Sequence, residues 1–278
     1  MEIKNGDQKK EIITVVLDYE PEMKAPYLIA VWSGMGNVAL GAVKYLKDQL
    51  KAEQFGEIKI PESLAFMGVT VKDNGIVESP LLSVMPGNGL YYWENTYSSN
   101  DFIFFIGETQ PSGMEYEFAH KLIELGEKFK VKRIYTAAAF ALPIHISQES
   151  KVHYVATTTE LIEDLKRFDV KLMTSGSISG LNGFLLGIAK KKGIEGVCLL
   201  GEMPNYLTHI EYPKASYSVL SILTKILNIE IDMGELLSTS RYQEEELKRY
   251  IKEIKEQFRQ LQEQEQKTPL ERKPKVLH

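Results

Sequence analysis

The sequence predicts an α/β fold: a three-layer α/β/α sandwich around a mostly parallel sheet, with a hairpin insertion and a long C-terminal helix. Three observations carry this. Runs such as YLIAVW, and the FIFFI within DFIFFIG, are apolar at every position, as strands covered on both faces must be. Amphipathic stretches with helical spacing separate these runs, the alternation that builds a layered α/β domain. Turn signals gather in one interval, 70–95, where DNG and PGNG interrupt the alternation as inserted hairpins would.

Taken in order, YLIAVW at 27–32 reads as a buried strand, followed by a helix over NVALGAVKYLKDQLKAE at 37–53. SLAFMGV at 63–69 and DFIFFIG at 101–107 read as further strands. MEYEFAHKLIELGEKF at 114–129 is an amphipathic helix. RIYTAAAF and HYVAT supply strands, and TELIEDLKRF a short helix. The glycine-rich SGSISGLNGFLLGIAKKKG opens another helix, IEGVCLLGE is a strand, and KASYSVLSILTKIL is again helical. No repeat of solenoid length is present. This α/β/α domain is expected to span 1–237.

From Met233 onward the chain is helical and rich in Glu, Lys and Gln, giving a charged helix expected over 238–267. Leu247, Ile251, Ile254, Phe258 and Leu261 recur at four-three spacing, a two-heptad apolar seam. Glu244 with Lys248 and Glu245 with Arg249 have the i,i+4 spacing of helix-surface ion pairs. The seam suits packing on the helix's own domain, or pairing with its counterpart in a second subunit. Residues 268–278 are expected to form a mobile tail.

Bulk properties bound the function. A charge of -5 in 278 residues gives no general attraction to nucleic acid or anionic membranes. No segment reaches the roughly 20 apolar residues of a membrane span, and the N-terminus lacks the form of a signal peptide. Cys198 is the only cysteine, so no intrachain disulfide forms, as suits a cytoplasmic protein. Its apolar setting, EGVCLLGE, fits a buried inert thiol.

The chemistry-bearing motifs favour a non-enzymatic protein with no cofactor and no metal. In WSGMGNVALG, Gly34, Gly36 and Ala39 meet the loose dinucleotide fingerprint, but no acidic residue ends the next strand to hold a ribose. Tight strand-to-helix turns need glycine for geometry alone. SGSISGLNG lacks a lysine or arginine for a phosphate, and Lys190 to Lys192 lie at the far helix end, where they suit the dipole. There, Ser175, Ser177 or Ser179 could cap the helix, and Gly183 with Gly187 make a narrow face for close approach. FFIGETQP and CLLGEMP both end a strand with Gly-Glu, placing Glu108 and Glu202 at the edge where α/β sheets bind ligands. Two carboxylates there could exchange protons or hold a cation, or could cap helices and loop amides. His120, His145, His153, His209 and His278 form no zinc spacing, and neither a P-loop nor a G-x-S-x-G elbow is present. A nucleoside or nucleotide site near Gly36, Glu108 and Glu202 is the alternative.

Taken together, PYLIAVWSGMGNVALGAVKYLKDQL, FFIGETQPSG, SGSISGLNGFLLGIAKKKGIEGVCLLGEMPNY and YPKASYSVLSILTKILNIEIDMGEL resemble the proteasome-assembly-chaperone family of the second type, over roughly 26–237. The resemblance implies an α/β/α domain related to purine nucleoside phosphorylases. It also implies a homo-oligomer that binds proteasome α-type subunits or a family paralogue. Some members dock on the α-ring through a C-terminal hydrophobic–tyrosine–any tripeptide. This chain ends Val276-Leu277-His278, with Leu277 where that pattern has tyrosine.

Overall fold

The computed structural model describes residues 13–60, 70–71, 77–78, 87–111 and 113–267. In chain order its strands are β1 (Thr14–Leu17), β2 (Tyr27–Trp32), β3 (Glu53–Lys59), β4 (Thr70–Val71), β5 (Val77–Glu78), β6 (Asn88–Trp93), β7 (Phe102–Gly107), β8 (Arg133–Leu142), β9 (Val152–Ala156), β10 (Lys171–Leu172) and β11 (Glu195–Pro204). The helices are α1 (Val38–Gln49), α2 (Glu115–Lys128), α3 (Thr159–Leu165), α4 (Gly180–Lys191), α5 (Pro213–Leu227) and α6 (Gly234–Lys267).

Nine strands form one sheet in the order β1-β3-β6-β7-β2-β8-β11-β9-β10, and β4 pairs with β5 in a separate hairpin. The central neighbours β7, β2, β8 and β11 run parallel. At the margins, β1, β3 and β6 pair antiparallel, as do β6 with β7 and β9 with β11. The α/β class and the layering are as expected, while the sheet is mixed, its parallel pairing concentrated at the centre. Continuous apolar runs mark strands covered on both faces, but an antiparallel neighbour can border such a strand as well as a parallel one, so the antiparallel pairings outside the centre were not readable from the pattern, and β10 joins β9 in parallel. The expected strand at 63–69 lies outside the described residues.

Alternation along β2 divides the core. Ile29 and Val31 face a layer containing Val43 and Leu46 of α1 and Val219 and Leu223 of α5. Leu28, Ala30 and Trp32 face the opposite layer, with Phe118 and Leu122 of α2 and Leu185 of α4. Residues of period two thus serve helices on both faces, which is why these strands are apolar throughout. Arg133 and Glu195, register partners at the starts of β8 and β11, are joined by two bonds to Glu195 Oε2, from Nε at 2.8 Å and Nη2 at 2.6 Å.

Helix boundaries follow local chemistry. Pro213 opens α5 where its missing N–H costs nothing, and Asn228 closes it in the left-handed region at φ 52°. Thr158 caps α3 by accepting from Leu161 N. Cys198 is fully buried in β11, and burial pushes its thiol pKa up to about 12, with a Thr136 hydrogen bond opposing only in part.

Candidate functional site

The first glycine turn joins β2 to α1. Gly36 has φ +59°, and an added Cβ would lie 2.8 Å from Met203 Cε and 3.2 Å from Tyr212 Cβ. Its N–H donates to Thr208 O at 3.0 Å, while its carbonyl accepts from Tyr212 N at 2.8 Å. Asn37 N donates to Gly34 O, and Ser33 N to Gly107 O. A phosphate cradle needs free amides aimed outward. At Ser33, Gly36 and Asn37 they are engaged within the chain, and Gly36 seats the turn against the segment between β11 and α5. Gly34 has open space around its missing Cβ and lines the mouth of a cleft at the strand ends.

Glu108 follows β7 directly. It accepts from Lys44 Nζ of α1 at 2.8 Å and from Gly87 N at 3.1 Å, and its own N–H donates to Gly87 O. The Lys44 hydrogen bond, aided by the Gly87 amide, holds the carboxyl below its ordinary value of 4.5. Glu108 therefore fastens the chain at Gly87, where it enters β6, to α1.

Glu202 has a different setting. It lies inside β11, opposite Phe140 of β8, and is 7% exposed. Its Oε1 is 2.7 Å from His153 Nε2, and Oε2 accepts from Lys151 N at 3.4 Å. Ser150 Oγ donates to its carbonyl at 2.6 Å. Both carboxylates are occupied, Glu108 by Lys44 and Gly87, Glu202 by β9 and the residues before it. They share no partner, so the Gly-Glu echo marks two separate fastenings. Among the described residues no group of three His, Cys, Asp or Glu is placed to hold a metal.

The second glycine loop leads into α4. Ser179 occupies the N-cap position without a side-chain cap bond. The cap comes from elsewhere: Gln110 Oε1 accepts from Leu181 N at 3.2 Å, while its Nε2 donates to Ser33 O at 3.0 Å. Gln110 thereby links the exit of β2 and the start of α4. It stands in FFIGETQP, but nothing local to residue 110 indicates a partner 71 positions away.

Along α6, Leu247 is buried at 9%, Ile251 and Ile254 are half-buried, and Phe258 is 63% exposed. Tyr242 and Tyr250 are exposed too. The seam begins against the domain and leaves it toward solvent. The side chain of Leu261 and the tail residues Val276, Leu277 and His278 lie outside the described residues. Glu244 anchors the inner half, bonded by Lys214 at 2.8 Å and by Lys248. Burial pushes its carboxyl pKa up, but the hydrogen bonds from Lys214 and Lys248 outweigh this and hold it low. Arg249 pairs with Glu246 rather than Glu245.

Comparison with known proteins agrees with this architecture. The family model described as the PAC2 family matches residues 28–251. An uncharacterized protein of Methanocaldococcus jannaschii, MJ1210, is 31% identical over 259 residues, covering 90% of this chain and 91% of its own. The crystal structure of Pyrococcus furiosus PbaB, described as an archaeal proteasome activator, is 31% identical with a TM-score of 0.73, covering 86% of this chain and 98% of that one. Pyrococcus furiosus PbaA, described as an archaeal homolog of proteasome-assembly chaperone, shares the fold at 22% identity and a TM-score of 0.67, covering 91% and 98%.

Proposed function

Because the chain belongs to the PAC2 family, we propose that it is a non-enzymatic, homo-oligomeric scaffold of the proteasome-assembly-chaperone kind, acting through protein–protein contacts. The observation that carries this is the split character of α6. Leu247 is buried on the domain, whereas Phe258, eleven residues on in the same seam, is 63% exposed. A helix of 34 residues is about 50 Å long, enough to carry its outer half beyond the surface that covers its inner half. An apolar seam flanked by charged residues at that point suits a second copy of the same helix. The engaged amides at Gly36 and the engaged carboxylates Glu108 and Glu202 favour this reading over a nucleotide enzyme. The likeness to PbaB, named as a proteasome activator, supports the proteasome as a partner; its α-ring, or a family paralogue, is the contact we propose.

The assembly role is tested by the solution mass of the full chain beside Ile254→Glu/Phe258→Glu. Both substitutions lie on the outer half of α6, so folding is expected to survive while the oligomer falls to smaller species. A monomer in both samples, or an oligomer indifferent to the two charges, would reject the role of α6. Docking is a separate question. Leu277→Tyr restores the pattern of the docking tripeptide, and α-ring capture is expected to rise; unchanged capture would exclude the tail as the contact.

A further inference from the structure

A groove of about 200 Å³ lies between α6 and the connection from β8 to β9. His145 and Ile146 line one side, and Lys248, Ile251, Lys252 and Lys255 the other. Its walls are fixed in place. Ile146 is fully buried, its N–H donating to the Tyr206 hydroxyl at 3.1 Å and its carbonyl accepting from Lys214 Nζ at 2.9 Å. Lys214 also bonds Glu244 at 2.8 Å, so the connection, α5 and α6 are fastened together at the inner end of the groove.

The charge of the groove is one-sided. Among the described residues no acidic side chain lines it, on a chain whose net charge is -5. Lys248, Lys252 and Lys255 share one helix stripe at i, i+4 and i+7, beside the half-buried Ile251. Their neutralisation within the chain is incomplete. Lys248 shares Glu244 with Lys214. Lys252 reaches Glu256 only at 4.0 Å, in a pair whose side chains are 78% and 54% exposed, a contact of little strength. Lys255 has no ion pair or hydrogen bond among the described residues.

A second copy of α6 does not answer these lysines. With Ile251 and Phe258 at a and Leu247 and Ile254 at d, Lys248 and Lys255 stand at e. Antiparallel pairing sets e against e, lysine facing lysine. Parallel pairing sets e against g, where Tyr250 and Gln257 stand. Neither flank brings a carboxylate to the groove.

We propose that the groove docks an acidic peptide segment of a partner protein, with one aliphatic side chain against Ile251 and successive carboxylates on Lys248, Lys252 and Lys255. Seven helical residues, about 10 Å, separate Lys248 from Lys255, too far for one small anion to meet all three. Carboxylates spaced along a peptide span that distance, and the volume of the groove suits a single side chain. A nucleic-acid backbone would satisfy the charges but leave Ile251 uncovered. Opposite charge steers such a segment to the groove and fixes its register.

The test measures fluorescence anisotropy with the intact chain and a labelled peptide of repeating Glu-Glu-Leu. Saturable binding is expected at a Kd below about 1 mM. The same peptide with Gln for Glu, or with Ala for Leu, is expected to bind at least about tenfold more weakly, as is labelled oligothymidine. Lys252→Glu/Lys255→Glu, at two exposed positions, is expected to weaken the acidic peptide by about tenfold or more, while Lys252→Arg/Lys255→Arg retains it. Lys171→Glu/Lys190→Glu, at exposed lysines outside the groove, should leave binding unchanged. No saturable binding, equal binding of the Gln, Ala or oligothymidine probe, or equal losses in the two charge-reversed variants would overturn the proposal. Solution mass of the same samples reports assembly separately, so failure of the groove is distinguishable from failure of the scaffold.

Discussion

Gly183 and Gly187 sit one turn apart on α4, and both read in the sequence as a narrow helix face. Their surroundings differ. A Cβ on Gly183 would lie 2.1 Å from the Ile178 carbonyl, whereas one on Gly187 meets nothing within 4 Å. Gly183→Ala is therefore expected to destabilise the protein by about 1–3 kcal/mol through overpacking against backbone. Gly187→Ala is expected to stabilise it by roughly 1 kcal/mol, the helix-propensity difference at an exposed interior position. Urea midpoints of the two variants check both signs. Residue types and spacing thus marked the joint, but could not tell which glycine is compressed, because the opposing atom is a backbone carbonyl five residues upstream. Glu108 and Glu202 teach the same lesson. Their shared Gly-Glu motif was legible; their separate partners, Lys44 with Gly87 and His153 with Lys151, depend on elements distant in sequence.

At the scale of elements, legibility followed burial. β2, β7, β8 and β11 stood out because both of their faces are covered, whereas β3, EQFGEIK, mixes charge with apolar residues and offers no run to read, and the helix expected over 37–53 extended onto its first residue. β10 has two residues, too few for any period. The start of α4 was visible, but its cap was not. Gln110→Ala removes the acceptor for Leu181 N and the donor to Ser33 O, and a loss of about 1–2 kcal/mol is expected in chemical denaturation. The inner end of α6 gives a pH-dependent expectation. The Glu244 carboxyl is held low in the folded state, so its contribution is present above the ordinary value of 4.5 and is lost as pH falls through the lower folded value. Glu244→Gln should cost about 1–2 kcal/mol near pH 7, since hydrogen bonds to a charged acceptor are replaced by weaker ones. The gap between variant and parent in denaturant midpoint should close as pH drops below 4.5; a gap that persists into strong acid would refute the ion-pair origin.

For the molecule as a whole, the class and layering were evident from alternation alone, and the mixed sheet was not. Parallel pairing at the centre places the ends of β2, β8 and β11 side by side, and that is where the uncharged cleft opens. The inner half of α6 packs on the domain at Leu247, and its outer half leaves Phe258 exposed. The burial of Cys198 has a practical consequence. A lone thiol in a central strand, with its pKa raised to about 12, cannot meet a reagent until β11 parts from its neighbours. Its modification rate is then a clock for the opening of the sheet. Native samples are expected to react slower than denatured ones by a factor on the order of 10³ or more, the reciprocal of the open population.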